Sequence, residues 1–151
     1  MAANSRDGAA AAQAAPQTRS QLAQALIQAV LEQARKRSLR LCVAVVDAGG
    51  HLLAFHRMDG LPFQLIGIAQ DKAVTAAGFG IATHELSQGL ERHPKGTREF
   101  FAARPGVVLL AGGLPLLREG ELLGGLGISG GSAIEDEACA QAALQACLGG
   151  R

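Results

Sequence analysis

The chain has 151 residues, a length that suits one domain with a sizeable hydrophobic core. Hydrophobic residues make up 48% and charged residues 18%, as in a globular protein and not in a disordered one. The formal net charge of +1 gives no electrostatic basis for binding nucleic acid or an acidic membrane surface. We find no apolar run near the roughly 20 residues that span a bilayer and no leucine-rich secretory signal, so we expect a cytoplasmic protein.

The first segment with a regular pattern begins at Thr18. Residues 1–17 are rich in Ala and Gln and lack periodicity, so we expect a disordered tail followed by a domain over 18–151. Thr18 and Gln21 can form a capping box at the start of a helix. Apolar residues then recur at helical spacing: Leu22, Ala23, Leu26, Ile27, Val30, Leu31 and Ala34.

The next elements are predicted to be a β-hairpin and a small-residue helix. Residues 41–46 are continuously apolar, as in a central strand covered on both faces, and 51–57 form the returning strand. Helical spacing continues over 64–83, where Ala and Gly are dense enough to let the sheet or a second subunit approach closely. Residues 85–96 are predicted to be irregular, and Thr97 to cap a short helix through Ala103.

The last third of the chain is predicted to form three antiparallel strands and a helix. Residues 118–121 make a hairpin turn, and Gly125 and Gly127 share one face of the final strand. Ser132 and Glu135 form a second capping box. The order of elements predicts an α+β domain with one antiparallel sheet flanked by helices.

Several residues could carry chemistry, although each has a structural interpretation. Ser129 lies in a G-x-S-x-G segment, yet no histidine follows it, so a tight turn is preferred to a hydrolase elbow. The backbone N–H groups at 130–132 could hold a carboxylate, although the acidic residues that follow oppose an anion. Lys72 and Arg57 either form salt bridges that tie the hairpin to the helix, with Asp59 as the acid, or receive a ligand carboxylate.

The histidines and cysteines define what metal chemistry is available. His51, His56, His84 and His93 are each a candidate axial ligand, although a solvated or core histidine is the commoner outcome. His51 and His56 are separated by an odd number of positions, so on one strand they cannot share a metal. The three cysteines lack a C-x-x-C pair, which favours buried free thiols over a disulfide or zinc site.

Taken together, several motifs in order resemble the GlcG/HbpS family, which includes the C-terminal domain of PduO-type proteins. The resemblance covers about residues 20–148 and rests on segments 45–50, 57–60, 112–115 and 127–131, on Lys72 and on Asp136. It implies a profilin-like fold that assembles into dimers or larger oligomers, often octamers. Some members bind haem or related tetrapyrroles, in some cases through a histidine near the first helix. The first histidine of this chain is His51.

The resemblance implies a small-molecule-binding protein, with haem or another tetrapyrrole as the ligand. The alternative is a cofactor-independent enzyme of small-molecule catabolism that acts on an oxo-acid or ring-cleavage product through Lys72, Arg57 and Ser129. The glycine-rich segments supply the remaining positions of the expected site. The residues expected to bind the ligand are Arg57, Lys72, Gly112, Gly113, Ser129 and Gly130.

Overall fold

A computed structural model describes residues 17–149. The predicted tail therefore lies outside the described residues, apart from Gln17. The helices and strands follow one another in chain order: α1 (Arg19–Lys36), β1 (Cys42–Asp47), β2 (Leu52–Arg57), α2 (Gln64–Phe79), α3 (Thr83–Leu90), α4 (Lys95–Ala102), β3 (Gly113–Arg118), β4 (Glu121–Ser129) and α5 (Ala133–Leu148).

The four strands form one sheet in the order β2-β1-β4-β3, and every neighbouring pair is antiparallel. Helices α1 and α5 cover one face of this sheet, and α2 covers the other. The predicted α+β class, with an antiparallel sheet flanked by helices, is confirmed. Strand β1 is buried on both faces, which explains its continuous apolar sequence.

The predicted capping boxes are present at both long outer helices. The Thr18 hydroxyl accepts from Gln21 N at 3.1 Å, and the Gln21 side chain accepts from Thr18 N at 2.9 Å. Ser132 and Glu135 exchange the equivalent bonds at 3.2 and 2.7 Å. These contacts satisfy backbone donors that a helix start leaves unpaired.

Two segments differ from the sequence-based prediction. Helix α2 stops at Phe79 because Gly80 adopts a left-handed conformation, and α3 then occupies the first half of the segment predicted to be irregular. Of the three strands predicted for the last third of the chain, the described fold has only two, β3 and β4. Residues 107–111, which precede them, form no strand. The 107–111 segment instead bonds to helices, since Thr75 Oγ1 accepts from Val108 N at 3.0 Å.

Small residues bring α2 directly onto the sheet. A Cβ added at Gly127 would collide with the carbonyl oxygen of Ala69, and one at Gly125 with that of Ala73. Ala69 and Ala73 are fully buried in the cluster between α2 and the sheet. The sequence left open whether the small residues admit the sheet or a second subunit. At these positions they admit the sheet of the same chain.

Candidate functional site

The end of the sheet where β4 runs into α5 gathers most of the predicted ligand-binding residues around a buried ion pair. Lys72 Nζ lies 2.9 Å from Asp136 Oδ2 and donates to the Ile128 carbonyl oxygen at 2.8 Å. Asp136 Oδ1 accepts from Gly131 N at 2.9 Å. Both side chains are 3% exposed, so the two charges are paired inside the chain and each carries a further hydrogen bond to the backbone.

The acid partner of Lys72 differs from the one considered in the sequence. Asp136 belongs to α5, whereas the expected salt bridge would have joined α2 to the hairpin through Asp59. Arg57 is exposed, and its guanidinium donates only a long bond, 3.5 Å, to the Leu61 carbonyl oxygen. Burial raises the pKa of the Asp136 carboxyl, and the hydrogen bonds from Lys72 and Gly131 oppose that rise.

Gly112 and Gly113 lie directly over the ion pair. A Cβ at Gly112 would come within 2.9 Å of Lys72 Nζ, and Gly112 has a φ of +114°, so glycine is required here for two reasons. Gly113 N donates to Thr83 Oγ1 at 3.1 Å, and that hydroxyl donates to the Leu110 carbonyl oxygen at 2.6 Å. The segment 110–113 is thus held by Thr83 of α3.

Ser129 and Gly130 close the corner between β4 and α5. The Ser129 hydroxyl is buried and donates to the Leu65 carbonyl oxygen at 2.7 Å. Gly130 has a φ of +121°. The neighbouring N–H groups that could have held a carboxylate are already used, because Gly131 N donates to Asp136 and Ser132 N donates to Glu135. The contacts of Ser129 fit a tight turn and leave its hydroxyl no open position.

The four histidines lie in different regions of the fold. His51 lies in the turn before β2, where its side chain is 83% exposed and Nδ1 is 3.3 Å from Asp47 Oδ1. His56 in β2 and His93 between α3 and α4 are exposed. Residues 17–149 contain no group of three or more His, Cys, Asp or Glu side chains that could hold a metal ion. Binding of a haem iron does not require such a group, because one axial imidazole is sufficient.

His84, on α3, is the histidine with the most constrained surroundings. Its Nδ1 is 3.2 Å from Glu137 Oε1, while the two side chains are 35% and 19% exposed. The Nδ1 atom is buried and has no hydrogen-bond partner, although the Glu137 carboxylate lies within ion-pair distance. An imidazole with one nitrogen facing a carboxylate is the arrangement commonly found in metal-binding histidines, so the residues present fit a haem axial ligand.

The Glu137 carboxylate is itself held in place by two further contacts. Its Oε2 accepts from Gly112 N at 2.9 Å, and its Oε1 accepts from Gln141 Nε2 at 3.0 Å. Gln141 also lines a cavity of about 190 Å³ together with Gly80, Leu114 and Leu144. The cavity therefore adjoins the His84–Glu137 pair, and none of the predicted ligand-binding residues lines it.

Asp136 and Glu137, which pair with Lys72 and His84, are not among the site residues expected from the sequence. Asp136 has the spacing of a buried position, because Cys139, Ala140 and Ala143 follow it at three, four and seven residues and are all fully buried. That periodicity could have placed its carboxylate inside the fold. Nothing in the sequence pairs Glu137 with His84.

The three free cysteines follow the prediction for the most part. Cys42 and Cys139 are buried and Cys147 is half-buried, and none of the three forms a disulfide. Burial raises the pKa of each thiol, so these side chains behave as small hydrophobic groups. Within residues 17–149, no helix combines the length and apolar character needed to cross a membrane.

The family of the chain follows from comparison with known proteins. The profile of the family described as "Haem degrading protein HbpS-like" matches residues 19–145. The chain belongs to this HbpS-like family.

Individual relatives agree with this assignment. Protein GlcG of Escherichia coli K12 is 38% identical over 109 residues, which cover 72% of this chain and 78% of that protein. A solved structure described as a PduOC:heme complex is 36% identical with a TM-score of 0.74, covering 82% of this chain and 89% of the other. A double mutant of HbpS from Streptomyces reticuli is 31% identical with a TM-score of 0.76, covering 97% of each chain.

Proposed function

We propose that this protein is a small-molecule-binding protein whose ligand is haem or a related tetrapyrrole. The observation that carries the proposal is the likeness to the PduOC:heme complex, at a TM-score of 0.74 and 36% identity. The family to which this chain belongs is also described by its relation to haem, and a solved HbpS structure is similar over 97% of the chain.

The contacts of the interior polar groups support binding over catalysis. Lys72 is neutralised by Asp136, and the hydroxyl of Ser129 donates to a backbone carbonyl. Neither group has a free position for a substrate, since both are nearly inaccessible to solvent. Arg57 is exposed and does not contact either of them among the described hydrogen bonds and ion pairs.

We also infer that the protein self-associates. Large apolar side chains remain exposed on the single chain, with Phe63 at 70% and Phe100 at 57% exposure. Exposed apolar side chains of this size are a common feature of protein interfaces. A second subunit would remove them from water.

A hemin titration followed by visible absorbance tests the proposal. We expect a Soret shift that saturates at a fixed ratio of haem to subunit, on protein whose oligomeric state is measured by light scattering. The chain has no Trp and no Tyr, so its concentration must be measured by amino-acid analysis. A spectrum that stays that of free hemin at every ratio contradicts the proposed function, and turnover of an oxo-acid by the haem-free protein would favour the enzymatic alternative.

A further inference from the structure

The His84–Glu137 pair differs from the other histidine environments because one imidazole nitrogen is buried beside a carboxylate while the side chain as a whole is partly exposed. Nδ1 is buried against Glu137, although the side chain as a whole is 35% exposed. The exposed part is therefore the remainder of the side chain. Three contacts, from His84, Gly112 N and Gln141 Nε2, surround the Glu137 carboxylate, so its position does not depend on the imidazole alone.

We propose that His84 is the axial ligand of the bound tetrapyrrole iron, through Nε2, and that Glu137 is the positioning residue that orients it. This inference rests on the proposed function. A histidine that ligates a metal usually presents its other nitrogen to a carboxylate, carbonyl or water, which sets the tautomer and makes the ligating nitrogen more basic. Because Nδ1 faces Glu137, Nε2 is the nitrogen left for iron.

Two exposed apolar residues lie on the segments that carry the His84–Glu137 pair and its neighbours. Leu110 is 61% exposed, and its carbonyl oxygen accepts from the hydroxyl of Thr83, the residue before His84. Ile134 is 82% exposed and lies one helical turn before Glu137 on α5. A porphyrin is a flat apolar ring, so Leu110 and Ile134 supply the kind of surface that it would cover.

A cationic side chain lies near the same imidazole. Ser87 is one helical turn after His84 on α3, and its hydroxyl accepts from Arg98 Nη2 at 3.3 Å. The Arg98 guanidinium therefore lies at the α3–α4 side of the pair. Haem carries two propionate carboxylates, and a guanidinium recognises a carboxylate through paired N–H donors.

The other histidines have fewer of these features. His51 also faces a carboxylate, that of Asp47, but it is 83% exposed in a hairpin turn. His56 and His93 are exposed and have no carboxylate within ion-pair distance among the described residues. His84 combines an oriented nitrogen, exposed apolar neighbours and a nearby guanidinium.

The test is a hemin titration of the full chain and of three variants: His84→Ala, Glu137→Gln and the matched control His93→Ala. We expect His84→Ala to lose the saturable Soret shift, and His93→Ala to titrate as the unchanged protein does. Glu137→Gln retains an acceptor for Gly112 N but loses the negative charge, and we expect its hemin affinity to fall about 10- to 100-fold. Added imidazole should restore hemin that co-elutes with His84→Ala on gel filtration, which a role in folding alone would not allow; co-elution is the readout because imidazole also ligates free hemin.

The outcomes separate the inference from the proposed function. If the unchanged protein never shifts the Soret band, the proposed function fails. If it does, and His84→Ala binds with unchanged spectrum and affinity, the assignment of the ligand is overturned and the function stands. If Leu110→Ser with Ile134→Ser dissociates the oligomer and leaves hemin affinity unchanged, these side chains form a subunit contact and the apolar part of the inference is wrong.

Discussion

Asp136 and Glu137 are consecutive residues of α5, and each carboxylate faces a basic side chain from another helix. The Lys72–Asp136 pair is 3% exposed on both sides, and its remaining hydrogen-bonding groups are paired with Ile128 and Gly131. The His84–Glu137 pair is partly exposed, and the imidazole Nδ1 lies 3.2 Å from the carboxylate without a hydrogen bond. A difference of one position along the helix thus separates a structural pair from a candidate ligand site.

The comparison shows why a buried charge is weak evidence for a binding site. A charge withdrawn from water must find partners within the fold, because the cost of leaving it unpaired is several kcal/mol. Lys72 meets that requirement with a carboxylate and a backbone carbonyl, and it is 2% exposed. A side chain that the fold holds in place, but whose ligating atom it leaves without a partner, is a better candidate for a ligand site.

Breaking the buried pair should have the largest effect on stability. We expect Lys72→Met to lower the free energy of unfolding by about 3–5 kcal/mol, because Asp136 would remain buried without its cation. Urea denaturation measures this loss. His84→Ala is the matched change in the partly exposed pair, and it should cost less than about 1 kcal/mol.

A double variant sharpens that result. Lys72→Met combined with Asp136→Leu removes both charges, so its stability should recover most of the loss seen for Lys72→Met alone. Equal costs for Lys72→Met and His84→Ala would show that burial does not distinguish the two pairs.

The close approach of α2 to the sheet should have the next largest effect, because it brings Lys72 within reach of Asp136. Gly127→Ala introduces a Cβ that collides with the Ala69 carbonyl oxygen, and we expect a loss of about 1–3 kcal/mol from overpacking. Gly78→Ala, on the exposed side of α2 with open space around it, is the control. That change should stabilise the protein by up to about 1 kcal/mol, and equal effects from both substitutions would contradict the packing described here.

The smallest effect concerns pH, where neighbouring carboxyls of α5 should act in opposite directions. Hydrogen bonds from Ser132 lower the pKa of Glu135 below its usual 4.5, so its stabilising contribution is present above that value and is lost as the pH falls through the folded-state pKa. Burial raises the pKa of Asp136, so its contribution is present below the ordinary value of 3.8 and is lost as the pH rises.

Glu135→Gln isolates the first of these contributions. The amide retains an acceptor for Ser132 N but no longer titrates, so urea midpoints between pH 3 and pH 6 should fall less steeply on acidification than those of the unchanged protein. Glu91→Gln, at the exposed end of α3, is the control and should leave the slope unaltered. If the urea midpoint of Glu135→Gln falls on acidification as steeply as that of the unchanged protein, the cap is not the source of this pH dependence.

Local chemistry accounts for the parts of the fold that sequence patterns predicted well. The boxes at Thr18 and Ser132 rest on bonds between residues three positions apart, so their residue types are readable from the chain alone. Strand β1 was recognisable because burial on both faces demands an unbroken apolar run. The end of α2 was placed too late because the apolar spacing continues past Gly80 into α3.

Residues 107–111 were expected to form a strand and do not, for a reason that involves other parts of the chain. Residues 107–110 are apolar and resemble a strand, but a strand also needs a partner edge for its backbone. Here Val108 N donates to Thr75, and the Leu110 carbonyl oxygen accepts from Thr83. Side chains of α2 and α3 thus take backbone bonds that a ladder would otherwise supply, and that competition cannot be read from local propensity.

The sequence by itself determined the class of the fold, the long helices with their caps, and the family resemblance, because each depends on residue types at short or regular spacing. Only the tertiary structure decided which charges pair. Lys72 and Asp136 are 64 residues apart, and His84 meets Glu137 because α3 and α5 contact the same glycine loop. Such pairings arise from packing the sheet between its helices: the spacing of Asp136 indicates a buried position, but no local pattern specifies the partner of either carboxylate.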